Sequence, residues 1–286
     1  MRPLSPIGRR IGLVAGSVLG GVAYRALWVE PRMLELPERE LVLDHWPAGL
    51  DGLRVAVVAD LHAGGPHVRE DRLEAIVDAV HGARPDLVVL LGDYVDTRVV
   101  GSRRIPPTVV AGILSRLDAP AGTVAVLGNH DWMHEGRAMG DALTDAGVPL
   151  LENDAVRLTV RGHELWIAGV ADYAVRRARV ARALERVPEG APVLLLTHNP
   201  DVFPYVPDHV ALTLAGHTHG AQVDLPLLRG LILPSRFGLR YHSGHVVEHG
   251  RQLFVSRGVG SSGLPVRLNA PPEIPVLRLR SSACPN

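Results

Sequence analysis

Short apolar runs alternate along this chain with stretches of helical periodicity, and run after run ends on a carboxylate, an amide or an imidazole. "LRVAVVAD" is followed by the helix-patterned "REDRLEAIVDAVHGA", "PDLVVLLGD" by "PPTVVAGILSRLDA", which opens on proline, and "GTVAVLGNHD" forms a third run. Strands that alternate with helices predict a layered α/β domain whose ligand site lies beyond the carboxyl ends of the strands. Further on, "AVRLTVRG" and "HELWIAGVAD" read as a hairpin. Arg176, Arg177, Arg179 and Arg182 then crowd one expected helix, a solvated face that beside a membrane would meet anionic headgroups. "PVLLLTHNPD" and "VALTLAGHTHG" supply two more strands. After Gly220, short strands alternate with glycine and proline turns and finish in "PVLRLRS", which predicts a second sheet packed face to face on the first.

The polar residues at the ends of these runs are the candidates for chemistry. Asp60 and His62 follow the first strand, Asp93 the second, Asn129 and His130 the third, His198 the fourth, and His217 and His219 the fifth. Each alone could cap a turn, but turn formation gives no reason to choose histidine over Gly, Asn or Ser. Together they predict one shared site. In "LAGHTHGAQ" the two histidines are two residues apart, which in an extended backbone turns both to the same side. Imidazoles, carboxylates and an amide suit Mn, Fe, Zn, Co or Ni, whereas an all-oxygen cage would suit Ca or Mg. The ligands are too many for one ion. Two ions a few ångströms apart, sharing a carboxylate, bind both free oxygens of a phosphate and favour in-line displacement.

Bulk properties narrow the partners. The 286 residues carry a formal net charge of +0, so no global field recruits nucleic acid, and none is expected as a partner. The single cysteine, Cys284, removes intrachain disulfides and thiolate metal clusters. At the other end, Arg2, Arg9 and Arg10 precede an uncharged stretch from Ile11 to Tyr24, after which Arg25 interrupts and Ala26 to Val29 resume. Residues 1–30 are expected to be a signal peptide or a membrane anchor, with an uncleaved anchor the preferred form, and 31–52 a linker and an opening strand. The folded domain is expected over 53–281. Cations ahead of an apolar run leave the N-terminus in the cytoplasm and carry the domain across the membrane. Arg9-Arg10 also fits a twin-arginine export signal, although Gly12 stands where that signal prefers a bulky apolar residue. Gly8, Gly12, Gly16 and Gly20 recur at the spacing that lets membrane helices approach closely.

The ordered set "DLHAG", "GDYVD", "GNHD", "THNPD" and "AGHTHG" resembles the calcineurin-like metallophosphoesterase superfamily, over roughly Arg54 to Leu279. The tail "VSRGVGSSGLPVRLNAPPEI" is further similar to a bacterial, membrane-associated branch that includes phosphodiesterases and UDP-2,3-diacylglucosamine pyrophosphatase-like enzymes. The resemblance implies a four-layer α-β-β-α sandwich with two packed mixed sheets, preceded here by an N-terminal hydrophobic helix. It implies that Asp60, His62 and His219 hold one divalent ion, that Asn129, His198 and His217 hold a second, and that Asp93 bridges them. His130 would be the acid that helps the leaving oxygen depart, and a hydroxide between the ions the nucleophile. Asp96 and Asp131 are expected to orient ligands or cap turns. His67 and Arg267 are candidate substrate contacts. The implied activity is phosphodiester or phosphomonoester hydrolysis on a lipid-linked or small substrate, at the bacterial cell membrane with the catalytic domain extracytoplasmic. The alternatives are a UDP-2,3-diacylglucosamine-type pyrophosphatase and a non-catalytic metal-stabilised binding module.

Overall fold

The protein is described by a computed structural model over residues 6–226 and 229–282. Arg2 and Cys284 lie outside the described residues.

Eleven strands form two sheets among the described residues: β1 (Glu38–Leu43), β2 (Leu53–Val58), β3 (Leu87–Leu90), β4 (Thr123–Ala125), β5 (Asp154–Val160), β6 (His163–Gly169), β7 (Val193–Leu196), β8 (Leu212–Ala215), β9 (Gly244–Glu248), β10 (Arg251–Val255) and β11 (Val276–Ser281). The helices are α1 (Pro6–Tyr24), α2 (Glu70–Ala83), α3 (Pro107–Leu114), α4 (Asn129–His134), α5 (Gly136–Asp145), α6 (Val180–Leu184) and α7 (Arg229–Ile232). One sheet runs β1-β11-β2-β3-β4 and the other β5-β6-β7-β8-β10-β9. Each mixes parallel and antiparallel pairs.

Side-chain alternation explains the layering. Val55, Val57, Val89, Leu277 and Leu279 point inwards and meet Ile167, Leu194, Leu196, Leu212 and Leu214 from the facing sheet. Their neighbours Ala56, Val58, Val88 and Leu90 point the other way, onto α2 and α3. In α2 the buried residues are Leu73, Ile76, Val77 and Val80, a spacing that gathers them on one helix face. The outer side of the second sheet, including Ala168, Val193 and Leu195, is covered by Ala183 of α6 and by the Val202–Phe203 turn. The result is the four-layer α-β-β-α sandwich. Because β3 and β7 are covered on both faces, they read as unbroken apolar runs, and the equally buried β8 is broken only by Thr213.

Three local expectations change. The final strand, β11, does not join the second sheet but inserts between β1 and β2 in the first. Only Arg182 of the four crowded arginines lies in a helix, the five-residue α6. Before it, Asn153 holds the chain in a turn: its Oδ1 accepts from Arg179 N at 2.8 Å and its Nδ2 donates to Arg177 O at 3.0 Å. At the N-terminus, α1 passes at Arg25 into a π-helical turn over Arg25–Val29 and then a 3₁₀ turn at Glu30–Arg32, with Arg25 Nε 3.1 Å from Glu30 Oε2. Finally, β8 ends at Ala215, so His217 and His219 are not on an extended strand.

Candidate metal centre

At the carboxyl ends of β2, β3 and β8 the chain turns abruptly through left-handed backbone. Asp60 (φ 52°), His62 (φ 45°), Asp93 (φ 56°), His217 (φ 72°) and His219 (φ 52°) all occupy that region, where a side-chain-bearing residue costs about 1–3 kcal/mol. Such outliers collected at one place mark a site whose geometry the surrounding fold enforces. They also correct the reading of His217 and His219 as same-side strand residues. The turns send the two rings to different clusters.

One cluster is Asp60, His62 and His219, and another is Asp93, His198 and His217, with all six residues buried. In the first, His62 Nε2 lies 3.1 Å from His219 Nε2, and His219 Nε2 lies 3.5 Å from Asp60 Oδ1. In the second, His198 Nε2 lies 3.1 Å from both His217 Nδ1 and Asn129 Oδ1. Asp93 Oδ2 stands between them, 3.5 Å from His62 Nε2 and 3.3 Å from His198 Nε2. Lone-pair donors therefore face lone-pair donors around a pair of buried carboxylates. A divalent cation in each cluster satisfies that donor set, and its mixed nitrogen and oxygen composition suits borderline metals.

The next contacts orient these atoms. His198 Nδ1 is 2.8 Å from Leu91 O, which leaves Nε2 as the free nitrogen. Asp96 Oδ2 is 3.0 Å from both His62 Nδ1 and His130 Nδ1. Asp60 accepts from the His217 backbone N–H at 3.0 Å, tying the ends of β2 and β8. Asp131 lies off the site itself and accepts backbone N–H bonds from Asp93, Tyr94 and Gly128 at 2.8–2.9 Å, so it holds the β3 and β4 turns together. Gly128 has no room for a side chain, since a Cβ there would fall on Asp93 Oδ1.

Protonation follows from the same neighbours. Burial, reinforced by His198, lowers His217 to about 3, and burial with His62 and Arg267 lowers His219, so both keep neutral, metal-competent rings. Burial opposes charge on His130, but Asp96 outweighs it and raises its pKa. Asp96 itself, despite burial, is held well below the usual carboxylate range by hydrogen bonds from His130 and His62.

The family profile "Calcineurin-like phosphoesterase" matches residues 53–221, the span that carries every one of these clustered residues. The chain belongs to that family. A metallophosphoesterase of Bacillus subtilis (strain 168), YkuE, is 31% identical over 274 residues, 94% of each chain. Phosphodiesterase YaeI of Escherichia coli (strain K12) is 32% identical over 234 residues, covering 79% of this chain and 82% of its own. A "Transmembrane protein with metallophosphoesterase domain" from Danio rerio is 30% identical over 259 residues, 85% of this chain and 56% of that one. This calcineurin-like phosphoesterase is a phosphoester hydrolase, and its family works with two divalent metal ions.

Of the ten residues expected at the site, the structure brings eight together: Asp60, His62, Asp93, Asn129, His130, His198, His217 and His219. Arg267, expected as a phosphate contact, is instead fully buried behind His219. Its Nε donates to Gly260 O at 2.9 Å, its Nη1 to Ala270 O at 2.9 Å and its Nη2 to Arg257 O at 2.9 Å, leaving no fork for a phosphate. His67 is half-buried, with Nε2 3.2 Å from Pro265 O.

Three neighbours of the site escaped the sequence reading. His134 Nε2 lies 3.1 Å from Asp96 Oδ1, four residues on from His130 and one turn along α4. Ser262 Oγ lies 3.3 Å from His130 Nε2. Asp172, buried after β6, is within electrostatic reach of His198 and Asp93. Asp172 was within reach of the strand-end rule, because "GVAD" ends its apolar run as the others do.

Proposed function

We propose that this calcineurin-like phosphoesterase cleaves phosphodiester or phosphomonoester bonds at a dinuclear metal centre. In this reading α1 tethers it to the membrane, its catalytic domain is extracytoplasmic, and its substrate is lipid-linked or small. The observation that carries the chemistry is Asp93, one carboxylate oxygen placed between His62 of one cluster and His198 of the other. Asp60, His62 and His219 would hold one ion and Asn129, His198 and His217 the other, with Asp93 a ligand available to both. When bound, such a pair supplies Lewis acidity and a deprotonated water near neutral pH.

The chain's own residues then do three things. The left-handed turns hold the ligands in place before substrate arrives, so no reorganisation is needed during reaction. Asp96 holds His62 through its Nδ1, which turns Nε2 towards the centre, and faces His130 Nδ1 at 3.0 Å, while His130 Nε2 lies 3.3 Å from Ser262 Oγ. His130, with 15% of its side chain exposed, is the strand-end residue that reaches solvent, and the Asp96 carboxylate favours its charged form. It holds a proton at Nε2 and delivers it to the departing ester oxygen. The tether is supported by the apolar helical stretch Gly12–Arg32, unburied until Glu30 and Pro31 at its end, and the orientation by the cations ahead of it.

The test uses full-length protein stripped with chelator, then supplied with Mn, Fe, Zn, Co or Ni, and assayed on bis-p-nitrophenyl phosphate and p-nitrophenyl phosphate. Turnover is expected to vanish on stripping and return with metal. Asp93→Ala should bind fewer ions, whereas His130→Gln should keep both and lose roughly a hundredfold or more in kcat. Full activity in chelator would overturn the dinuclear reading. The preferred compound separates diesterase from monoesterase.

A further inference from the structure

A cleft of about 570 Å³ opens beside the metal centre, a volume typical of small-ligand sites. Its lining includes His219, of the metal cluster, and Ser262, whose hydroxyl lies 3.3 Å from His130 Nε2. The cleft therefore adjoins the metal cluster. From there it runs along Val223, Pro234, Leu264 and Val266, and its described lining is mostly apolar, with no carboxylate, guanidinium or large aromatic ring. Leu264 at the rim is 58% exposed. Pro234 closes the sequence "LPLLRGLILP", whose single charged residue is Arg229. A nucleotide or sugar would find few partners on such a wall.

The membrane helix is fastened to the same wall. Arg267, the residue after Val266, donates its backbone N–H to Ala26 O at 2.9 Å. Ala270 N donates to Glu30 Oε1 at 2.7 Å, and Glu30 is fully buried although it sits at the end of the apolar helix. The guanidinium of Arg267 in turn lies 3.3 Å from His219 Nδ1, so one residue connects the helix to the metal cluster. Around this junction the residues suit a bilayer surface. Arg32 lies over the Trp28 ring at 3.4 Å, and Arg72 donates to Met33 O at 2.6 Å beside Arg69 and His67. Aromatic and cationic side chains at the end of an apolar helix anchor it at the headgroup level. Val266 of the cleft lining directly precedes Arg267, whose N–H meets this helix at Ala26 O.

We infer that the cleft is an acyl-chain subsite, which takes the hydrocarbon of a phosphoester amphiphile from the bilayer entered by α1 while the phosphate lies against His219. The inference rests on the phosphoesterase reading above and names its substrate class. Hydrocarbon leaving water for such a wall gains affinity with each methylene buried. A chain drawn only part-way from the bilayer keeps most of its length in lipid, so extraction costs little.

The test compares methyl and hexyl p-nitrophenyl phosphate, both below micelle-forming concentrations, with metal-loaded full-length protein in lipid nanodiscs. Wild-type kcat/KM should rise roughly threefold per methylene while the chain fits, giving at least a tenfold preference for the hexyl ester. Leu264→Asp, at an exposed position that tolerates substitution, should reduce that preference below about threefold, and Val223→Asp should do the same. Partition of the hexyl ester into the disc is common to all three proteins, and the ratio of the two esters cancels any loss of folded protein. A ratio near one in the wild type, or the same preference in wild type and both variants, would overturn the acyl subsite while leaving the hydrolase intact. Failure to cleave either ester, bis-p-nitrophenyl phosphate or p-nitrophenyl phosphate with any metal would remove the phosphoesterase reading and this inference together, whereas turnover of p-nitrophenyl phosphate alone would overturn only the inference.

Discussion

Asp96 touches three imidazoles at once, with His62 Nδ1 and His130 Nδ1 at 3.0 Å and His134 Nε2 at 3.1 Å. Replacing it with asparagine keeps the shape but removes the charge that fixes their tautomers. Asp96→Asn should lower kcat and metal affinity by roughly ten- to a hundredfold, measured by steady-state kinetics and metal titration. Because Asp96 raises the His130 pKa, its loss should also move the alkaline limb of the pH–rate profile to lower pH, where His130 now gives up its proton. At this scale the sequence was informative about which residues meet, since the chemistry of Asp, His and Asn at strand ends has few other uses. It could not show what stands behind them. His134 and Ser262 approach through space, and Arg267 looked like a phosphate fork until its donors proved committed to carbonyls.

Trp46 lies in the segment expected to be a linker with an opening strand, yet it is 3% exposed and belongs to the core between the sheets. Its Nε1 donates to Leu50 O at 3.0 Å and its carbonyl accepts from Ser281 Oγ at 2.6 Å, joining the chain that leads into β2 to the end of β11. Trp46→Ala should therefore destabilise the domain by about 4 kcal/mol, read from the urea midpoint with an unchanged m-value. The strands themselves were legible because a run buried on both faces must be apolar throughout. Their partners were not. β11 reads as one more late strand, and only its hydrogen bonds to β1 and β2 place it in the first sheet. Likewise, the stretch 176–182 is helix-compatible in sequence, but Asn153 Oδ1 claims the Arg179 backbone N–H that a continuous helix would need.

Across the whole molecule, the apolar helix and the catalytic domain share a junction rather than a loose tether. Ala26 O and the Glu30 carboxylate both accept backbone N–H groups from the 267–270 segment. Two truncations separate anchoring from stability. Removing residues 1–24 should release the protein from membranes while bis-p-nitrophenyl phosphate hydrolysis stays within about twofold. Removing 1–32 should in addition cost about 2 kcal/mol, because the buried Ala270 N–H loses a charged partner; urea unfolding of the two forms measures the difference.

The sequence by itself determined the alternation of strands and helices, the apolar N-terminal helix and the identities of the clustered residues, because burial, length and side-chain chemistry are written locally. Only the tertiary structure decided which ring faces which cluster, where β11 inserts, and that the apolar N-terminal helix meets the 267–270 segment. Those depend on left-handed turns and on hydrogen bonds between segments far apart in the chain, such as Ala26 with Arg267, whose geometry exists only once the two sheets have closed on each other.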